Sequence, residues 1–189
     1  MTEFGIVMEA SPGFTARLAR EIEAMGFDLL LCPDTQNLSP DPYSQLSLAA
    51  QTTTRLKLGT GVTNPVTRDV AVTASALATL QAESNGRAIC GIGRGDSSAA
   101  HIGIRNGTTA QLRTYVQRLQ AYGRGETVDR DGTASRLRWF DSVQVSPVAN
   151  DGAASIKVNG TTVASGSASP PVNLAVGNNT ITVTVTALD

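Results

Sequence analysis

Four times in the first 141 residues an apolar run of strand length is followed by apolar residues at helical spacing, and this alternation restricts the fold more than any single motif. FGIVM at 4–8 leads to Ser11-Pro12, then to Phe14, Leu18, Ile22 and Met25, with Gly26 placed to stop the helix. DLLLC at 28–32 leads to Asp41-Pro42, a cap followed by proline, and to a helix with Leu46, Leu48 and Ala49. RLKLGTGV at 55–62 precedes a helix from about Asp69 carrying Val72, Ala76, Leu77 and Leu80. RAICGIG at 87–93 precedes, after a loop, a helix around 108–122. Strands and helices at this spacing predict right-handed βαβ units on a parallel sheet. The expected class is α/β: half of a β/α (TIM-type) barrel with four parallel strands, plus a small C-terminal antiparallel β-sheet.

The composition changes near residue 141, which divides the chain into expected domains 1–141 and 142–189. The second is rich in Thr, Val, Gly and Asn. Asn159-Gly160 is the strongest two-residue hairpin signal, and it sets Val158 against Thr161 and Ile156 against Val163. A second turn at Gly177-Asn178 would set Leu174 against Ile181 and Val172 against Val183. The expected sheet has an apolar face that includes Val176 and Val185, and a hydroxyl face of Thr180, Thr182, Thr184 and Thr186. Neither that face nor the inside of a four-stranded half-barrel is covered by its own unit. The two are therefore expected to meet each other, or a second copy in a homo-oligomer, most simply a dimer.

A net charge of −1 gives no basic field for nucleic acid or anionic lipid. The N-terminus is acidic, with too short an apolar run for a signal peptide, and no stretch approaches a membrane span, so neither a membrane nor nucleic acid is an expected partner. Cys32 and Cys90 each sit in a strand-like run and read as buried free thiols, which suits the reducing cytoplasm. His101 is the single histidine; it argues against paired-His metal sites and against a Ser-His-Asp triad, and no metal is expected. No Rossmann glycine fingerprint and no phosphate-binding Lys loop follows the first strand. Asn106, Asn159 and Asn178 match the glycosylation pattern but read as turns.

The residues richest in chemistry follow strands two, three and four: CPDTQ at 32–36, GTGVTNPVTR at 59–68 and GIGRGDS at 91–97. In a β/α barrel such positions line the mouth where chemistry occurs. Taken alone, Asp34 also reads as a helix cap or a solvated carboxylate, Gly59 to Gly61 as a tight strand exit, and Arg94-Gly95-Asp96 as an adhesion tripeptide.

In combination, GFDLLLCPDTQNLSPDPYSQLSLAA, LKLGTGVTNPVTRDVAVTASALATLQAESNGRAICGIGRGDSSAAHIG and SRLRWFD resemble the N-terminal half of the luciferase-like monooxygenase family, nearest its deazaflavin (coenzyme F-420)-dependent oxidoreductases. The resemblance covers about 3–141. It implies a β/α barrel that binds F-420 or FMN at the C-terminal mouth of its strands. It would place Asp34 near the cofactor ring. Gly61, Val62, Thr63 and Asn64 would form a bulge behind the ring, often with a non-proline cis peptide. Gly93, Arg94, Gly95 and Asp96 would approach from strand four. Many deazaflavin members carry a histidine after strand two; Thr35 and Gln36 stand there in this chain, and no catalytic residue is assigned.

Residues 142–189 are similar to the later part of a bacterial cadherin-like β-sandwich repeat. The combination implies a chimeric or recombined chain derived from a flavin- or deazaflavin-dependent oxidoreductase, without full catalytic competence. The alternative is an active F-420- or FMN-dependent enzyme transferring hydride at the ring, completed by oligomerisation. An adhesion or sugar-binding module is less well supported, because all three tyrosines and the single tryptophan precede residue 141.

Overall fold

The computed structural model describes residues 2–140, 142–143, 154–167, 169, 172–173 and 180–186. Two units are distinguished, 1–123 and 124–189. The first carries strands β1 (Gly5–Val7), β2 (Leu29–Cys32), β3 (Lys57–Thr63) and β4 (Ala88–Ile92) in one parallel sheet of order β1-β2-β3-β4. Between and after them run helices α1 (Thr15–Ala24), α2 (Pro42–Ala50), α3 (Val70–Glu83), α4 (Asp96–His101) and α5 (Thr109–Gly123). The expected α/β class and four parallel strands are what the chain forms.

Strand alternation decides where the core lies. Leu30, Cys32 and Leu58 share a buried cluster with Ala19 and Ile22 of α1, Leu46 and Ala49 of α2, and Leu80 of α3. The adjacent row Val7, Leu31, Gly59 and Ile89 lies on the other face of the sheet. There Val7 is 62% exposed and Leu31 and Ile89 are half-buried.

Capping chemistry sets the helix limits. Asp41 accepts the Ser44 N–H at 2.9 Å with Pro42 in the first turn, and Asp69 accepts the Ala71 N–H at 2.8 Å. Thr108 and Gln111 bond each other's backbone N–H at 3.1 and 2.8 Å, a capping box for α5. Helix α1 begins later than Ser11-Pro12 suggests. Gly13 takes φ 80°, which no helix continues, and the Ser11 carbonyl accepts Phe14 and Thr15 N–H in a separate turn. Its end is as expected: Gly26, at φ 93°, donates to Glu23 O while Phe27 donates to Ile22 O.

Two side chains pin the N-terminal ends of the strands. Glu23 accepts the N–H groups of Thr54, Arg55 and Leu56 at the entrance to β3. Arg87, at the entrance to β4, donates to carbonyls of Ala50, Thr53, Leu56 and Ser84.

The second unit is antiparallel. Strands β5 (Val128–Arg130) and β6 (Thr133–Ser135) form a hairpin through Asp131 (φ 56°) and Gly132 (φ 89°). It precedes residue 141, so the division by contacts lies upstream of the change in composition. Short strands β7 (Ser142–Val143) and β10 (Val172–Asn173) pair with each other. Strands β8 (Ser155–Val158), β9 (Thr161–Val163) and β11 (Val183–Thr186) form a sheet of order β11-β8-β9.

The Asn159-Gly160 hairpin has the expected register, Ile156 opposite Val163 and Val158 opposite Thr161, and Ile156, Val158 and Val163 are buried. The expectation for Val172 is corrected: it lies opposite Val143, and Val183 lies opposite Val158. The free edge of β8 takes the last strand because that pairing sets Val183 and Val185 beside Val158 and Ile156 on one apolar face. Val183 and Val185 remain exposed there. The Gly177-Asn178 turn, Leu174 and Val176 lie outside the described residues. Among the described residues no helix is long and apolar enough to cross a membrane.

Partial burial raises the Glu23 pKa, but the Arg55, Leu56 and Thr54 N–H groups and the Arg55 charge outweigh it and hold the carboxyl below its ordinary 4.5. A carboxylate depressed in the folded state stabilises above its unfolded pKa and loses that contribution as pH falls through the folded value. Glu23→Gln is expected to lower unfolding stability by about 1 kcal/mol at pH 7, measured with urea, and the difference should shrink only as pH falls through the depressed folded pKa of Glu23, below its ordinary 4.5.

Candidate functional site

The C-terminal ends of β2, β3 and β4 converge on a groove of about 310 Å³. One wall is Pro33 and Thr35, directly after β2; the floor is Gly61 and Val62 of β3; the far wall runs from Gly93 to Ser98 after β4. The floor is formed by a register shift. Thr60 pairs with Cys90 but Thr63 with Ile92, so β3 holds one residue more than β4 across the interval, and the Gly61–Val62 peptide is cis.

Glycines in these walls are set by close approach. A Cβ on Gly61 would stand 2.9 Å from the Leu31 Cβ, and one on Gly93 would stand 2.9 Å from Val62 Cγ2. Gly95 has φ 87°, and a Cβ there would lie 2.7 Å from Asn64 Cγ. A Cβ at any of the three would therefore force these closely packed segments apart. The cavity lies at the small end of ligand pockets, roughly 300–1,000 Å³, which suits a planar ring system with its remainder outside.

Six of the nine residues singled out from sequence line the groove: Gly61, Val62, Gly93, Arg94, Gly95 and Asp96. Asp34, Thr63 and Asn64 lie behind it and are buried. Asp34 is 2% exposed and fully engaged. Its Oδ2 accepts from Thr63 Oγ1 at 2.7 Å and Arg68 Nε at 2.6 Å; its Oδ1 accepts from Gln36 Nε2 at 2.7 Å and Arg68 Nη2 at 3.1 Å. Arg68 also bridges to Asp41, the cap of α2, and its guanidinium lies 4.9 Å from the centre of the Tyr43 ring. The loops after β2 and β3 and the start of α2 are thus joined through one guanidinium.

Asn64 joins the floor to the far wall. Its Nδ2 donates to Ser98 Oγ at 2.9 Å, and its Oδ1 accepts the N–H groups of Val66 and Thr67. In the far wall itself Arg94 donates to Asp96 at 3.1 Å, and both side chains are exposed. His101 is exposed in the last turn of α4.

Cys32 and Cys90 are free, and burial pushes each thiol up to about 11, so neither is a thiolate near neutral pH. Burial first, then the neighbouring Cys90 and Asp34, push the Tyr43 hydroxyl above its ordinary range. Among the described residues no cluster of three or more His, Cys, Asp or Glu side chains could hold a metal ion. Pro33, Thr35 and Ser97 line the groove within the segments that the sequence places at the mouth, although no individual role is assigned to them there; Ser98 lies one residue beyond those segments, and Arg68 has no role assigned from sequence. Arg68 closes the quoted strand-three segment, but a pairing across 34 positions leaves no local pattern.

The family model described as luciferase-like monooxygenase matches residues 3–187. Its match crosses residue 141, so the comparisons do not set 142–189 apart as cadherin-like. The 5,10-methylenetetrahydromethanopterin reductase of Methanolobus tindarius is 38% identical over 120 residues, 62% of this chain and 36% of that protein. Among solved structures, the coenzyme F-420 dependent tetrahydromethanopterin reductase from Methanopyrus kandleri superposes with TM-score 0.61 and 29% identity over 70% of this chain and 44% of its own. Monooxygenase RslO1 from Streptomyces bottropensis gives TM-score 0.58 and 27% identity over 72% and 47%. The chain spans less than half the length of each of these relatives.

Gly95→Ala is expected to lower stability by about 2 kcal/mol or more, since it combines a left-handed backbone with a clash against Asn64. Gly103→Ala also meets positive φ but open space, and should cost about 1 kcal/mol, nearer the backbone penalty alone. Thermal unfolding of the two variants side by side measures the difference.

Proposed function

This chain belongs to the luciferase-like monooxygenase family, and on that footing we propose that its groove seats the ring of coenzyme F-420 or FMN in an oxidoreductase. When bound, that ring supplies the hydride chemistry; the chain supplies the seat. The observation that carries the reading is the glycine-lined groove: half-buried Gly61 and Gly93 bring backbone to its surface, Gly95 turns the far wall at φ 87°, and Val62 is a 47% exposed apolar floor. Arg94, Ser97 and Thr35 put polar groups at its margins, where they can fix ring orientation. F-420 is favoured over FMN by the name of the Methanopyrus kandleri reductase that this chain resembles.

Catalysis by this chain, its completion by a homo-oligomer and a cytoplasmic setting belong to the same proposal. The exposed Val7 on the inner sheet face and the free thiols support the last two. The second reading is a family-derived chain that binds the ring without turnover; it rests on the change in composition near residue 141. Reduction of bound cofactor by a supplied donor would decide for the first reading, and binding without any redox change would decide for the second.

Fluorescence titration with F-420 and with FMN is expected to show saturable binding with Kd below about 100 µM for one of them, about −5.5 kcal/mol. Gly93→Val, which fills the groove beside Val62, is expected to weaken binding at least ten-fold. Absence of binding by the wild-type chain up to millimolar cofactor would remove the reading.

A further inference from the structure

We infer that Arg68 is a positioning residue that fixes the near wall of the groove against its floor while lying outside the groove. The inference deepens the ring-site reading and rests on it for its consequence in binding. Arg68 is not among the lining residues. It grips Asp34 through Nε and Nη2, and Asp34 in turn holds Thr63. Asp34 stands between Pro33 and Thr35, which form the first wall, and Thr63 follows Val62, which forms the floor. A rotation of Asp34 therefore moves both surfaces at once.

Three features suit the guanidinium to this task and an ammonium poorly. The fork matches both carboxylate oxygens of Asp34, so it fixes the plane of that group as well as its place. The same Nη2 reaches Asp41, the cap of α2. The flat face lies over the Tyr43 ring, and Tyr43 belongs to α2. The Arg68 side chain is 16% exposed and that of Asp34 1%, so water cannot readily replace a lost bond. Lysine preserves the charge and loses the fork, the second carboxylate and the stacking together.

The test compares Arg68→Lys with Glu23→Gln, which loosens the opposite end of the same sheet. Hydrogen exchange is measured first, on the proteins without added ligand. In Arg68→Lys the amides of 34–36 and 61–64 should exchange about ten-fold faster while those of 54–56 keep their rates; Glu23→Gln should show the reverse. Titration with F-420 and FMN should then give a Kd about ten-fold higher for Arg68→Lys and unchanged for Glu23→Gln at a comparable loss of Tm.

Exchange that is unchanged at 34–36 and 61–64, or accelerated evenly over the sheet, overturns the inference. So does a Kd for Arg68→Lys equal to that of the wild type. If the wild type binds neither cofactor, the ring-site reading falls, and exchange alone decides whether Arg68 holds the near wall to the floor. Should Arg68→Lys fail to fold, Asp41→Asn takes its place, because asparagine keeps the cap on Ser44 N–H and withdraws one carboxylate from Arg68. A two- to three-fold faster exchange at 34–36 supports the inference there, and no change overturns it.

Discussion

A carboxylate with 1% of its side chain exposed must have every lone pair answered, and Asp34 meets that demand with four hydrogen bonds from Thr63, Gln36 and Arg68. The donors come from different segments, so satisfying one buried charge fixes the loops after β2 and β3 together. Desolvation makes the arrangement decisive: removing Arg68 leaves a carboxylate in a place water does not reach, at about 3–5 kcal/mol for a buried pair. The groove owes its floor and near wall to this constraint. Asn64 does the corresponding work between floor and far wall with a neutral amide.

The two ends of the parallel sheet are built differently. At the N-terminal end the Glu23 and Arg87 side chains satisfy backbone groups directly. At the C-terminal end the ion pair and amide lie one layer below a surface made of peptide groups. In β/α folds the strand C-termini are the positions free to carry chemistry, and here Gly61, Gly93 and Gly95 stand among the groove's lining residues while Asp34, Thr63 and Asn64 are buried. The family match over 3–187 takes in both units, and each has its own logic: βαβ packing in the first, hairpins in the second.

What the sequence disclosed follows from the range of the forces involved. Caps at Asp41 and Asp69, the stop at Gly26 and the Asn159-Gly160 turn are local, and each stands where its residues predict. The bulge at Gly61 and Val62 was legible only through resemblance, since the glycines alone also suit a plain strand exit. Helix α4 escaped notice because Asp96-Ser97-Ser98 reads as a turn and the helix has only six residues. The β5–β6 hairpin carried a readable Asp131-Gly132 signal and was overlooked beside the longer helical pattern before it. The pairing of β11 with β8 joins residues 25 to 31 positions apart, and an alternating apolar strand fits either edge equally well in sequence terms. For the same reason Asp34 was recognised as chemically interesting, while its role behind the groove depended on Arg68.

A flat ring seated in the groove would lie against the C-terminal ends of β3 and β4. Amide chemical shifts recorded during titration with F-420 test it residue by residue. The largest changes are expected on Gly61, Val62, Gly93, Arg94 and Gly95, with Thr54, Arg55 and Leu56 at the other end of the sheet unmoved. Changes centred on residues 124–189, or saturable binding that leaves those five amides in place, would contradict it.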